Sequence, residues 1–429
     1  MRQMKDSGIR WIKEIPSDWQ VIKVKYLTSQ VGSGKTPKGG AEVYVQSGIM
    51  FLRSQNIYND GLHLDDVVYI DEKTNEEMSS TKVKPYDILL NITGASIGRT
   101  CMVPGDFQVA NVNQHVCILR PIQEKILPML FEKVMQSCFV FNQIYSFQNG
   151  SSREGLNFGD IGNLVITMPK RLEKQEKLAG FLDNKCNEVD KAIEIHQKHI
   201  DLLKTYKQSI ITEAITKGIN KNAEMKDSNI SWIGKVPCHW EVGRIKNKFA
   251  IKKNLVYTED REVLSLTQRG LKIKDITSND GQLAVSYAGY QEVLIDDFVM
   301  NSMDLLTGYV DCSIYEGVTS PDYRVFQLNE EGSKRYYLYY FQMCYFRKLF
   351  YGFGRGVSHL GRWRLQREEF YNFPLLTPPI DEQEEINNYL DKKCEDIDKA
   401  ITIKQGLIKK LNEYKKNLIY EAVTGKIEI

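Results

Sequence analysis

Nowhere in this 429-residue sequence is there a run of eighteen apolar residues, so no segment reads as a membrane-spanning helix. The opening stretch, MRQMKDSGIRWIKEIP, lacks the apolar core of a secretory leader, and the expected location is cytoplasmic. The 8 cysteines are scattered without a C-x-x-C pair, which argues for reduced thiols and against a disulfide or zinc framework. Histidine is scarce too, at 6 residues. His196 and His199 stand three apart, a spacing open to a metal. A second copy of the same stretch has Lys404 and Leu407 instead, which favours a polar spot in a helix seam. No Ser/His/Asp or Cys/His set has nucleophile spacing. Nor is there a global excess of positive charge, the net being +2. The excess that exists is clustered. Arg244, Lys246, Lys248, Lys252 and Lys253 have no acid among them, and neither do Arg347, Lys348, Arg355, Arg362, Arg364 and Arg367.

What is present is repetition. The stretch 172–219 returns without a gap at 380–427, with twenty-one of forty-eight positions identical. Both copies carry heptad rows. Leu182, Val189, Leu203 and Ile210 form one row; Cys186, Ile193, Ile200 and Ala214 form the other, four positions on. The second copy keeps them as Leu390, Ile397, Leu411 and Leu418, with Cys394, Ile401, Ile408 and Ala422. Each copy predicts a helix about 65–70 Å long at 1.5 Å per residue. One seam facing a near-copy of itself predicts that the two helices pair as a stiff spacer; two separate core helices are the plainer alternative.

A second repeat has a different offset. MKDSGIRWIKEIPSDWQV at 4–21 reappears as MKDSNISWIGKVPCHWEV at 225–242, returning Trp11, Pro16 and Trp19 as Trp232, Pro237 and Trp240. Tryptophans spaced around a rigid proline could stack on bases, but pinning a connector to a domain face is the stronger reading. The chain is therefore a tandem of lead-in, globular segment and long helix: 1–171, 172–219, 220–379 and 380–429. Within the first segment GIMFLRSQNI, DVVYI, DILLNI and HVCILRP read as strands, and LPMLFEKVMQSCFVFNQI as one helix. In the second, EVLSLTQRG, LAVSYA, DDFVMNS and YRVFQLN read as strands and KRYYLYYFQMCYFRKLF as the helix. The expected class is α+β, each segment holding a mixed sheet.

Several motifs suggest catalysis and fail. GSGKT at 32–36 has Ser29 where a phosphate loop needs glycine, and KTPKGG follows where a helix should open. FYGFG at 350–354 fits a methyl-donor pattern but follows a helix rather than a strand. TPPI at 377–380 lacks both the amide and the aromatic ring of an amino-methyltransferase motif. Pro321-Asp322 has no Asp/Glu-x-Lys downstream to complete a nuclease metal site. The sequence thus argues against catalysis in this chain. The best contact candidate is GFGRGVSHLGRWRLQR at 352–367: glycines admit a phosphate, arginines neutralise it, and Trp363 and His359 can pack on sugar or base. Its first-half counterpart, QNGSSREGLNFGD at 148–160, is far less basic.

Taken together, the duplicated Trp-Pro-Trp lead-ins, G-K-T-P after the first, D-I-L-x-x-x-x-G-x-x-G, and Q-E-x-x-x-x-x-L-D-x-K before each long helix resemble the specificity subunit of type I restriction–modification enzymes. The resemblance covers essentially the whole chain. It implies two target recognition domains held apart by antiparallel helices, each reading half of a bipartite, asymmetric double-stranded DNA site. It further implies that the helices dock two methyltransferase subunits and that restriction subunits join them. S-adenosylmethionine, Mg²⁺ and ATP would then belong to those partners. The second domain has KKNLVY at the G-K-T-P position and so departs from the pattern. Base readout falls to polar and basic side chains on loops. The candidates are Lys35, Thr36, Arg53, Gln55, Ser96, Arg99, Asn113, Gln114 and Arg153 in the first domain. In the second they are Gln268, Arg269, Asn301, Thr307, Tyr323, Arg355, His359, Arg362 and Arg364. The competing reading is a duplicated coiled-coil adaptor that binds proteins and not DNA.

Overall fold

The structure, a computed structural model, describes residues 2–148, 155–258, 260–277, 284–355 and 363–429. The chain divides into two compact units, Met1–His196 with Gly406–Ile429, and Gln197–Gln405. The boundaries run through both long helices, Leu172–Lys217 and Ile380–Val423, so each unit holds part of each.

In the first unit the lead-in folds as a hairpin, Met4–Asp6 against Glu14–Pro16. It continues into the strand Trp19–Lys23, which pairs antiparallel with Val165–Pro169, the strand just before the long helix. The main sheet is antiparallel in the order Thr100–Met102, Ile88–Asn91, Val116–Pro121, Thr28–Ser33. A second sheet is mixed: Ile49–Leu52 runs parallel to Ala110–Val112 and antiparallel to Val68–Ile70. The core joins Trp19, Leu90, Phe131 and Ile166 to Leu178, Leu182 and Cys186 of one long helix and to Leu418, Ile419, Ala422 and Val423 of the other.

The second unit repeats this plan. Its lead-in hairpin pairs Met225–Asp227 with Lys235–Pro237, and Glu241–Arg244 pairs with Pro374–Thr377 ahead of the second long helix. The main sheet has the order Phe249–Lys252, Arg324–Leu328, Phe298–Met300, Val310–Cys312. Its core is aromatic, Phe249 packing edge-on against Phe298, Tyr337 and Phe341 at 5.5, 5.1 and 5.2 Å between centroids. Here Ile210, Ile211, Ala214 and Ile215 meet Ile386, Leu390, Cys394 and Ile397.

The named heptad rows face inward throughout. Leu182, Val189, Ile200, Ile210, Leu390, Ile397 and Leu418 are buried; Ile193, Leu203, Ile401, Ile408 and Leu411 are half-buried. Within the first unit Lys415 Nζ meets Asp190 at 2.6 Å, and within the second Lys207 Nζ meets Asp398 at 2.7 Å. These are the same pair of repeat positions, exchanged between helices. In the second unit Lys404 Nζ also meets His199 Nδ1 at 3.3 Å, so one segment recedes as the other advances and the two run antiparallel there.

Both helix starts are pinned by the glutamine of Q-E-x-x-x-x-x-L-D-x-K. Buried Gln175 accepts from the Leu127 N–H at 3.0 Å and donates to the Pro169 carbonyl at 3.0 Å. Gln383 does the same with Ser333 N–H and the Pro378 carbonyl, both at 2.8 Å. Trp19 and Trp240 are buried beside the helix-ending glycines Gly425 and Gly218, as the packing reading expects, whereas Trp11 is exposed.

Three expectations need correction. The single helix expected at 127–144 is two, Pro128–Met135 and Cys138–Gln148, because Ser137 folds its hydroxyl onto the Val134 carbonyl at 2.6 Å and restarts the helix. The described part of LAVSYA is no strand: Val285 is fully exposed, and the strand lies beyond it at Tyr290–Val293. The second unit keeps only a trace of the expected mixed sheet: among its described residues Val263 bridges Val318 in parallel, while the named strands pair antiparallel.

Candidate nucleic-acid interface

In the first unit the candidate residues come together because several strands end at one edge. Val112 lies beside Leu52 in the parallel pair, so Asn113 and Gln114 emerge next to Arg53 and Gln55, and the Asn113 N–H donates to the Leu52 carbonyl at 3.0 Å. Asn91, at the end of its own strand, donates to the Ser54 carbonyl at 2.8 Å and to Ser96 Oγ at 3.1 Å, bringing in the G-A-S-I-G loop. Gly34 lies so close to this edge that a Cβ there would overlap the Val112 carbonyl. The glycine of G-K-T-P thus lets the backbone in and leaves Lys35 and Thr36 exposed beside Asn113. No helix opens after Thr36; the chain runs irregularly into a short 3₁₀ turn, Gly40–Val43.

Charge at this edge is oriented by neighbours. Arg53 donates to the Asp66 carbonyl at 2.7 Å, and Gln55 is held by the Asp66 carboxylate. The Arg99 guanidinium sits 4.6 Å over the Tyr58 ring, which stacks on His63 at 4.1 Å. Tyr58 and His63 were not among the sequence candidates. Neither was His115, whose ring lies 2.6 Å from Thr93 Oγ1 and 2.9 Å from Gln114 Nε2. A contact between strands distant in sequence leaves no local pattern, although His115 opens the quoted HVCILRP stretch. Arg153 lies outside the described residues.

The second unit builds its edge differently. Gln268 and Arg269 occupy the exposed turn between Leu264–Thr267 and Gly270–Ile273, and Gln268 donates to the Thr307 carbonyl at 3.3 Å. The loop after Phe298–Met300 is self-braced: the Asn301 side chain accepts from Met303 and Asp304 N–H, and Asp304 from Leu306 and Thr307 N–H. Tyr345 donates to the Asn301 carbonyl at 2.6 Å. Leu365 N–H reaches the Ser302 carbonyl at 2.9 Å, which places the bridged Arg355 and Arg364 beside this loop. Arg355 is already engaged by Glu369 at 2.8 Å, whereas Arg364 is exposed. Tyr323 is half-buried at the adjoining strand start. Next to it Arg324, missed from sequence, donates to the Leu365 carbonyl at 2.8 Å and lies 4.7 Å over Phe370. Burial pushes its guanidinium down to about 10. His359 and Arg362 lie outside the described residues.

The aspartate of D-I-L, and Asp297 of Asp-Phe-Val at the matching place in the second unit, support the two edges. Asp87 and Asp297 are buried and each caps the turn before its strand, accepting from Lys84 N–H at 2.7 Å and from Leu294 N–H at 2.8 Å. Arg120 satisfies Asp87 through two bonds of 2.8 and 2.7 Å, and Lys252 satisfies Asp297 at 2.6 Å. Among the described residues no group of three or more His, Cys, Asp or Glu is arranged to hold a metal, and no helix is long and apolar enough to cross a membrane.

Two sheets of one strand order, each with a polar loop edge and a share of two long helices, define a tandem recognition protein. The chain belongs to the type I restriction modification DNA specificity domain family, whose model matches residues 16–205 and 237–413. It is 22% identical over 430 aligned residues to a putative type I restriction enzyme specificity subunit, MjaX, of Methanocaldococcus jannaschii, covering 97% of this chain and 96% of that one. Its fold is similar to a chain of a solved type I restriction–modification system, with a TM-score of 0.70 at 13% identity and coverage of 96% and 99%. The HsdS subunit of Thermoanaerobacter tengcongensis matches with a TM-score of 0.51 at 13% identity, over 96% and 98% of the two chains.

Proposed function

We propose that this chain reads a bipartite, asymmetric double-stranded DNA sequence, one half with each unit, and supplies no catalysis itself. The observation that carries the proposal is the gathering of Lys35, Thr36, Arg53, Gln55, Ser96, Arg99, Asn113 and Gln114 on one edge of the first unit. Such groups match what base edges and phosphates require. In the second unit the edge carries Gln268, Arg269, Asn301, Thr307, Tyr323, Arg355 and Arg364 on unrelated loops, which supports a different half-site. The antiparallel helix segments act as a coiled-coil spacer that sets the gap and rotational phase between halves.

The same helices dock two methyltransferase subunits, to which restriction and translocase subunits are added. Apolar side chains outside the seam support this. In the first unit Ile195 and Tyr414 are each 52% exposed; their repeat equivalents in the second, Ile403 and Tyr206, are 65% and 57% exposed. Two equivalent patches suit two copies of one partner. S-adenosylmethionine, ATP and Mg²⁺ act in those partners, and the complex works in the cytoplasm.

The test is to incubate DNA with the assembled complex and methyl donor and to map the methylated adenines. A split, asymmetric sequence is expected. Methylation without sequence preference, or an uninterrupted site, removes the reading. The adaptor alternative expects no DNA selection by the chain at all.

A further inference from the structure

We propose that Gln114 reads an adenine in the first half-site and that His115, held by Thr93, is the positioning residue that fixes its amide. This rests on the reading of the first unit as a DNA-recognition unit. His115 is fixed from both sides. Its N–H donates to Asn113 Oδ1 at 3.1 Å, and its carbonyl accepts from the Ile92 N–H at 3.0 Å. Both ring nitrogens are engaged, Nδ1 with Thr93 Oγ1 at 2.6 Å and Nε2 with Gln114 Nε2 at 2.9 Å.

The protons follow from chemistry. An amide nitrogen donates and does not accept, so His115 Nε2 must carry the lone pair. The ring proton is then on Nδ1 and is donated to the Thr93 hydroxyl. With the Gln114 amide nitrogen against His115 Nε2, the chain runs in one direction, Gln114 to His115 to Thr93, and in that tautomer His115 holds the amide in this orientation. One amide hydrogen is taken by His115. The other lies beside the carbonyl oxygen, and Gln114 is exposed, so a donor and an acceptor are presented side by side. That pair complements the N7 acceptor and N6 amino donor of adenine in the major groove, and no other base offers both in that order. A glutamine free to flip would present donor and acceptor in either order and discriminate less.

The experiment selects duplexes from a random pool with the full chain and with Gln114→Ala, His115→Leu, His115→Gln and Thr93→Val variants. The native chain is expected to return a two-part sequence. Gln114→Ala should lose the A·T preference at one position by roughly 5- to 140-fold, the worth of a bidentate base contact of ~1–3 kcal/mol, and His115→Leu should lose part of it at the same position. Thr93→Val should give a smaller loss there. His115→Gln should keep the preference, because its carbonyl oxygen can accept the same hydrogen. Thr93→Val carries the test by itself if His115→Leu does not fold. A uniform loss at every position, or His115→Leu and Thr93→Val profiles matching the native one, overturns the positioning role. A Gln114→Ala profile unchanged from native overturns the assignment while leaving DNA reading intact. A native chain that selects no sequence overturns both.

Discussion

At the scale of single residues, two positions in the quoted motifs are held by close fit within the protein itself. Gly34 is one. Gly34→Ala forces the G-K-T-P loop off the Val112 carbonyl, at a cost of about 1–3 kcal/mol typical of overpacking. A lowered melting temperature together with weakened binding of the first half-site is the expected outcome; a variant that melts and binds like the native chain disproves the close approach. The aspartate of D-I-L is the other. Arg120→Ala strands the buried Asp87 charge, and the loss of stability should fall toward the lower end of ~3–5 kcal/mol because Arg120 itself keeps some access to water. Denaturant titration measures it. The sequence shows the aspartate twice but conceals that its partners sit on non-equivalent strands, Val116–Pro121 in one unit and Phe249–Lys252 in the other. The stack of Arg99, Tyr58 and His63 was hidden for the same reason: its members meet only after folding.

Among the elements, the long helices were the most legible, since heptad rows over forty residues leave little freedom for another structure. Their polar interruptions were harder to read. Lys207 and Lys415 break the rows at matching places, and each reaches an aspartate of the opposite helix, which selects the antiparallel register over slipped ones. Lys207→Glu should lower the melting temperature slightly, by no more than the ~1 kcal/mol scale of an exposed pair, and adding Asp398→Lys should restore it. Failure of the double variant to recover means the pair does not set the register. The buried glutamines at the helix starts matter more. Gln175→Ala leaves the Leu127 N–H without its acceptor, costing about 1–3 kcal/mol, and Gln383→Ala should behave alike at Ser333. Loop-bearing strands were legible where alternation coincided with burial, and illegible at LAVSYA, where alternation continues without a face to cover it.

For the whole molecule, linear order and compact units do not coincide, and sequence repeats alone could not reveal it. The lead-ins and helices repeat as consecutive blocks, yet each compact unit draws on two helices. Seven residues added to each helix, between His196 and Gln197 and between Gln405 and Gly406, should widen the gap between half-sites by about three base pairs: roughly 10 Å of added helix against 3.4 Å per base pair. Selected sequences report the change directly, and an unaltered gap removes the spacer role. The division also governs biosynthesis. Residues 197–405 form an uninterrupted unit, but the earlier one lacks its cover until residues 406–429 are made. At ribosomal speeds of about 5–20 residues per second, roughly ten to forty seconds pass in between. During that interval Leu178, Leu182 and Cys186 have no Leu418, Ile419 or Ala422 to lie against. The reading head translated first is thus the last to mature, and a nascent polypeptide must keep its oily flank from its neighbours on the polysome until the final turns of helix arrive.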